Sequence, residues 1–107
     1  MRTKRIGITD HAVDRALERL PLTSRRVARA LLGQAWREGA PLPRRLGRRL
    51  DHNHRQARLS KKEQSRYRLW GRLLLVGRPG VVITMWTLDE TELATVLVWG
   101  LLGRWVG

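Results

Sequence analysis

The sequence predicts an α+β fold: two N-terminal helices packed on a three- to four-stranded antiparallel sheet, with an apolar C-terminal helix or strand. Three observations carry this. Apolar residues recur at helical spacing from Thr9 to about Glu38. From Arg66 the period changes, and short apolar runs alternate with glycine- and proline-bearing breaks. At 107 residues the chain has one domain's length and a single, modest core.

Met1 to Arg5 is a short basic arm, and Ile6 to Ile8 a brief extended piece. Thr9 or Asp10 then caps a helix through a side-chain oxygen. Val13, Ala16, Leu17 and Leu20 follow i, i+3, i+4, i+7 spacing and define its core-facing stripe. Pro21 ends it, because the residue before a proline is pushed out of helical angles. A second helix starts at Thr23 or Ser24 and runs to about Glu38. Val27, Ala28, Leu31, Leu32 and Ala35 form its buried face, Arg25, Arg26, Arg29 and Arg37 the opposite one, and Trp36 lies at the edge. Gly39 caps its end, and Pro41 and Pro43 prevent continuation.

Residues 40–64 mix loop signals, basic clusters and isolated leucines, and read as a basic loop with one weak strand near Ala57 to Leu59. Tyr67 to Trp70, Arg72 to Val76 and Val81 to Thr87 read as strands, with Gly71 a bend or bulge and Gly77-Arg78-Pro79-Gly80 a hairpin turn. Asp89 and Glu92 have capping-box spacing, so a last helix begins near Glu90. Leu93 to Val106 is apolar all round and reads equally as helix or strand.

The charge is extreme: 22 basic residues against nine acidic ones give +13. Such a field attracts polyanions, which makes nucleic acid the expected partner, ahead of a membrane surface or an acidic protein. Arg outnumbers Lys 19 to 3. Arg binds phosphate bidentately, although an Arg-favouring codon bias gives the same count. With no cysteine, disulfides and Cys-ligated metals are excluded. The start of the chain lacks the apolar core of a signal peptide, and no run of ~18 apolar residues exists, so a cytoplasmic protein without a membrane span is expected.

His11, Arg15 and Arg19 stand four apart, advancing about 40° per step, and form one slanting row on the first helix, opposite the apolar stripe. Glu18 is placed to pair with Arg15, and Asp14 less well with Arg19. The row reads either as a solvated charged face or as a phosphate site. Metal-independent RNA cleavage needs a base for the 2′-OH proton, an acid for the leaving oxygen and a cation for the developing charge. His11 suits a proton role and the two arginines the cation. By residue type alone, Tyr67, His52, His54 and Lys61 are candidates for the second proton-transfer group. Asp51-His52-Asn53-His54 has no specific metal spacing and reads as a polar loop; neither a metal nor another cofactor is expected. Further phosphate contacts are expected from Arg25, Arg26, Arg29, Arg44, Arg45, Arg48, Arg49, Arg68 and Arg72. Tyr67 and Trp70 are placed either to stack bases or to fill a buried strand.

His11-Ala-Val-Asp-Arg-Ala-Leu-Glu-Arg19 resembles the H-A-x-x-R-x-x-x-R helix of a group of small, mostly phage- or plasmid-encoded bacterial proteins. Ala35-Trp-Arg-Glu-Gly39, Tyr67 to Val76 and Val82-Ile-Thr-Met-Trp86 resemble that group's later motifs, in the same order, over residues 6–87. The group is similar to the RelE-like ribonuclease toxins of the barnase–EndoU–colicin superfamily. The resemblance implies a single RelE-like domain with residues 88–107 as an apolar extension. It puts His11, Arg15 and Arg19 on the exposed edge of the first helix and Thr84 on a central strand facing them; these four, with Tyr67 added by residue type, are the candidate catalytic set. The resulting expectation is an RNA-binding protein, acting on RNA or the ribosome, with metal-independent endoribonuclease activity. Its rival is a non-enzymatic phage accessory protein that binds a host complex or nucleic acid through the basic face and the apolar tail. Under either reading residues 93–106 are expected to be buried against another chain, as a homodimer or host-protein contact, or to close the sheet as a final strand or helix.

Overall fold

β3 (Arg66–Trp70), β4 (Leu73–Arg78) and β5 (Val81–Thr87) form an antiparallel meander at the centre of one sheet. Glycine makes both turns tight. Gly71, at φ 62°, takes the first central position between β3 and β4, and Gly80, at φ 80°, follows Pro79 between β4 and β5. The computed structural model, which describes residues 6–54 and 65–101, adds two short strands. β1 (Gly7–Ile8) runs parallel to β5, and β2 (Ala40–Pro41) antiparallel to β3, in the order β1-β5-β4-β3-β2. The sheet is therefore mixed and five-stranded, not antiparallel with three or four strands. Two-residue strands are too short for any periodicity to register. Backbone bonds place them: Gly7 N–H donates to Gly80 O at 2.8 Å, and Leu42 N–H to Tyr67 O at 2.9 Å.

One face carries α1 (Asp10–Arg19) and α2 (Arg25–Glu38), as expected. Thr9 caps α1, accepting from Ala12 N–H at 3.1 Å while its hydroxyl donates to Ile83 O at 2.8 Å. Ser24 caps α2. Ala12, Val13 and Ala16 of α1 meet Ala28, Leu32, Ala35 and Trp36 of α2 over Leu73, Leu75, Val82 and Met85. The buried stripe of α2 is rotated from the expected one: Val27 is 51% exposed, and Trp36 is buried, not at an edge. Gly39 does cap α2, but with φ −64°. Close approach requires the glycine, since a Cβ there would lie 2.6 Å from Ala35 O. Arg25 joins the two helices through Asp14 (2.6 Å) and Asp10 (3.6 Å), and Arg29 bonds Asp10 at 3.0 Å. The bond from Arg25 holds the Asp14 carboxyl below its ordinary value. It also takes Asp14 away from the pairing with Arg19 that the spacing allowed.

The opposite face carries α3 (Arg44–His54) and α4 (Glu90–Leu101). α3 stands where a basic loop was expected. Leu46, Gly47, Leu50 and Asp51 are its buried side, and the anticipated strand at Ala57 to Leu59 lies outside the described residues. Leu46, Leu50, Leu42, Tyr67, Leu74, Val76, Trp86, Leu88 and Val96 form a second core. α3 lies so close to β3 that a Cβ on Gly47 would fall 2.2 Å from the Tyr67 ring. α4 settles the open choice at the C-terminal element as a helix. Its entry is a reciprocal cap, with Glu92 N–H donating to Asp89 (2.8 Å) and Asp89 N–H to Glu92 (3.1 Å). Among the described residues, no helix is long and apolar enough to cross a membrane.

Candidate functional site

Arginine is concentrated where α3 begins, beside β2 and β3. A cleft of about 170 Å³ is lined there by Leu42, Arg44, Ser65, Arg66, Tyr67 and Arg68. Arg68 is held in place: its guanidinium lies 4.7 Å over the Trp36 ring and donates to Trp36 O. Arg44, Arg45, Arg48 and Arg49 continue from the cleft along α3, and none of them forms an ion pair among the described residues. Arg44 and Arg45 occupy the first turn, which contains no acid. A cation at the positive end of a helix dipole costs ~0.3–1 kcal/mol, so these two charges oppose the stability of their own helix.

The other nucleic-acid candidates are less free. Arg25 and Arg29 bridge α2 to α1, and Arg72 pairs with Glu90 at 2.9 Å. Arg26 and Arg37 remain unpaired among the described residues, and with Arg29 line an open groove of about 510 Å³ over β1 and α2.

A different cluster forms where α3 ends. Strand alternation from Val76 and Leu74, through their partners Thr84 and Trp86, puts Thr84 and Trp86 on the face covered by α3 and α4. Thr84 therefore does not face the α1–α2 core; it is 2% exposed, and its Oγ1 has no hydrogen-bond partner among the described residues. From the C-terminal end of α1, Arg19 reaches around β5 and places its guanidinium 4.6 Å over the Trp86 ring. Arg19 Nη1 is also buried, with no hydrogen-bond partner among the described residues. Burial, then the charge of Arg15, pushes the Arg19 guanidinium below its ordinary value, though such a group stays protonated. His54 stacks on Trp86 with ring centroids 5.3 Å apart and 16° between planes. Its Nε2 lies 2.9 Å from both carboxylate oxygens of Glu92. Beneath them, Trp86 Nε1–H donates to the buried Asp51 carboxylate at 2.8 Å, and Tyr67 OH lies 3.5 Å from its other oxygen.

Of the five expected catalytic residues, Arg19, Thr84 and Tyr67 belong to this side of the molecule. Tyr67 is buried under α3 and not presented for base stacking. His11 is exposed in the first turn of α1, about 12 Å from Arg19 along the axis, and Arg15 is paired with Glu18. The row therefore divides between solvent and Trp86. The sequence reading did not assign Trp86 or Glu92 to a site, left Asp51 in a polar loop, and named His54 there only as one of four proton-transfer candidates by residue type. The available signal was the spacing of Leu46, Gly47, Leu50, Asp51 and His54, which marks one helical stripe. The chain matches no family model, no curated protein and no solved structure.

Proposed function

We propose that this protein binds RNA through its backbone, along α3 and the cleft between α3 and β3. One observation carries the reading: Arg44 and Arg45 stand unpaired at the end of α3 where a cation is unfavourable, beside a cleft holding Arg66 and Arg68. Arginine at a site that its own helix disfavours fits a phosphate ligand better than a structural role. The test is fluorescence anisotropy with a single-stranded RNA across a salt series. Each phosphate contact loses ~0.7 log units of affinity per log unit of added salt on single strands, so four contacts give a slope near −3. An affinity indifferent to salt would rule the reading out.

A RelE-like architecture with metal-independent ribonuclease activity belongs to the same proposal. Its supports are the motif resemblance and the placing of α1 and α2 ahead of the three antiparallel strands β3 to β5, with β2 and α3 between. Cleavage of total RNA, or of RNA on translating ribosomes, in EDTA is its expected sign.

A second reading has its own observation. α4 leaves Leu97 64% and Leu101 77% exposed, with Val98 beside them. This apolar surface on a chain of charge +13 fits an accessory protein that docks on a second copy or a host protein. Leu102, Trp105 and Val106, counted in the same contact from sequence, lie outside the described residues. Under this reading, sedimentation finds the intact protein dimeric or bound to a partner. A Leu97→Glu, Leu101→Glu variant is a folded monomer. A monomeric parent that recruits nothing removes the second reading.

A further inference from the structure

The cleft where β2 leaves β3 and the chain turns into α3 is small. Its volume of about 170 Å³ is well under the ~300–1,000 Å³ of pockets that take a drug-sized ligand. Two of its walls are joined to each other: Leu42 N–H donates to Tyr67 O at 2.9 Å, and the Tyr67 ring is packed under Gly47. No chain can pass between those walls. Arg44 and Arg66 line the cleft and form no ion pair among the described residues, whereas Arg68 is committed to Trp36. Ser65, also in the lining, is only 4% exposed, and its hydroxyl forms no hydrogen bond among the described residues. A buried hydroxyl left without a partner points to a ligand that supplies one. Pro43 holds the N-cap position of α3. Its carbonyl takes Gly47 N–H at 3.0 Å, but its ring has no oxygen for the other N–H groups of the first turn. No acid and no histidine lines the cleft.

We propose that this cleft receives a terminal phosphate monoester, the phosphorylated 5′ or 3′ end of an RNA strand whose backbone continues along α3. The inference rests on the RNA reading above and narrows its ligand from any stretch of backbone to a chain end. Charge is the first reason. A phosphate monoester carries about −1.5 to −2 near neutral pH, and a linking phosphodiester a single charge. Two unpaired guanidiniums, with no acid to share them, match the monoester. Donor supply is the second. A monoester presents three terminal oxygens where a diester presents two. Arg44, Arg66, the Ser65 hydroxyl and the open N–H groups of α3 can serve all three. Shape is the third, since a small cleft with joined walls suits a group at the end of a chain better than one in its middle. From the cleft, Arg45, Arg48 and Arg49 carry the cationic surface on along α3, four residues covering ~6 Å of its axis.

The experiment follows the full chain by fluorescence anisotropy with one short, internally labelled RNA in three forms: 5′-phosphate, 3′-phosphate and hydroxyls at both ends. One phosphorylated form is expected to bind roughly ten- to hundredfold tighter than the hydroxyl form, the worth of a single hydrogen bond to a charged group. Which form it is identifies the end. The preference should shrink as the pH falls from about 7.5 to about 5.5, because the monoester takes up its second proton near pH ~6 while the arginines stay charged. Protonation of His52 and His54, at the far end of α3, strengthens all three RNAs alike and leaves the ratio unchanged. Ser65→Ala and Arg66→Gln should each remove most of the preference with Tm unchanged, since neither side chain is bonded within the described fold. Arg48→Gln with Arg49→Gln should weaken all three RNAs equally and keep it. Equal binding of the three RNAs with a steep salt slope overturns the proposal and leaves the RNA reading standing. So does a preference that survives both Ser65→Ala and Arg66→Gln. Calorimetric binding of inorganic phosphate, with no RNA bound at low salt, keeps a monoester site and removes the RNA reading. Binding of neither overturns both.

Discussion

Replacing Arg44, Arg45, Arg48 and Arg49 with glutamine is expected to weaken RNA binding by two to three decades near 0.1 M salt. The size follows from counterion release: four contacts at ~0.7 log units each, over the decade separating 0.1 M from 1 M, amount to ~2.8 log units. The salt slope should become shallower by about three. Stability should move the other way. Arg44→Glu with Arg45→Glu replaces two cations at the positive end of α3 by two anions, and the first turn holds no acid to be repelled. A gain of about 1 kcal/mol is expected, readable as a rise in Tm of roughly 4–8 °C for a domain of this size. Weaker binding in a more stable protein is the signature of residues kept for a ligand. Loss of both would mean that the arginines hold the fold, and loss of neither that RNA binds elsewhere.

The largest expected change in stability comes from one methyl group. Gly47→Ala places a Cβ where Cγ, Cδ2 and Cβ of Tyr67 lie 2.2–2.5 Å away, and Tyr67 is itself packed between α3 and the sheet. Neither side can give without lifting α3, so a loss of about 2–3 kcal/mol is expected, a large share of the ~5–15 kcal/mol typical of a small domain. Gly33→Ala is the matched control. Gly33 is also helical and buried, but a Cβ there would meet only an Arg37 nitrogen at 3.5 Å. It should stabilise by ~0.5–1 kcal/mol through helix propensity. Urea melts of the two variants should therefore shift in opposite directions. Equal shifts would mean that α3 does not pack on Tyr67 at this distance.

How much was legible follows from how each element is encoded. α1 and α2 announce themselves through local caps and stripes, at Thr9 and Ser24, and β3 to β5 through apolar runs bounded by Gly71 and Pro79-Gly80. α3 was hidden because four of its eleven residues are arginines, and one of the positions it buries is Asp51. A buried carboxylate reads as loop until the indole that satisfies it, 35 residues away, is brought alongside. The resemblance put Thr84 on a strand facing the row of α1, but alternation along β5 turns it to the side of α3 and α4. α1 packs on the other face of β5, and its Arg19 passes around that strand to Trp86. The same detour explains why a row of three residues on one helix is divided between two environments.

The brevity of β1 and β2 has a consequence for self-association. Edge strands offer unpaired backbone groups to any neighbour, and long flat edges invite other chains to extend the sheet. Here each outer strand is two residues long, β2 ends in Pro41, and Thr9 at the head of α1 takes the Ile83 carbonyl beyond the end of β1. Neither border offers a usable template for growth. The described outer strands are thus guarded against cross-strand pairing by truncation rather than by charge. Under the docking reading proposed above, a second copy would have to meet a helical surface and not the sheet.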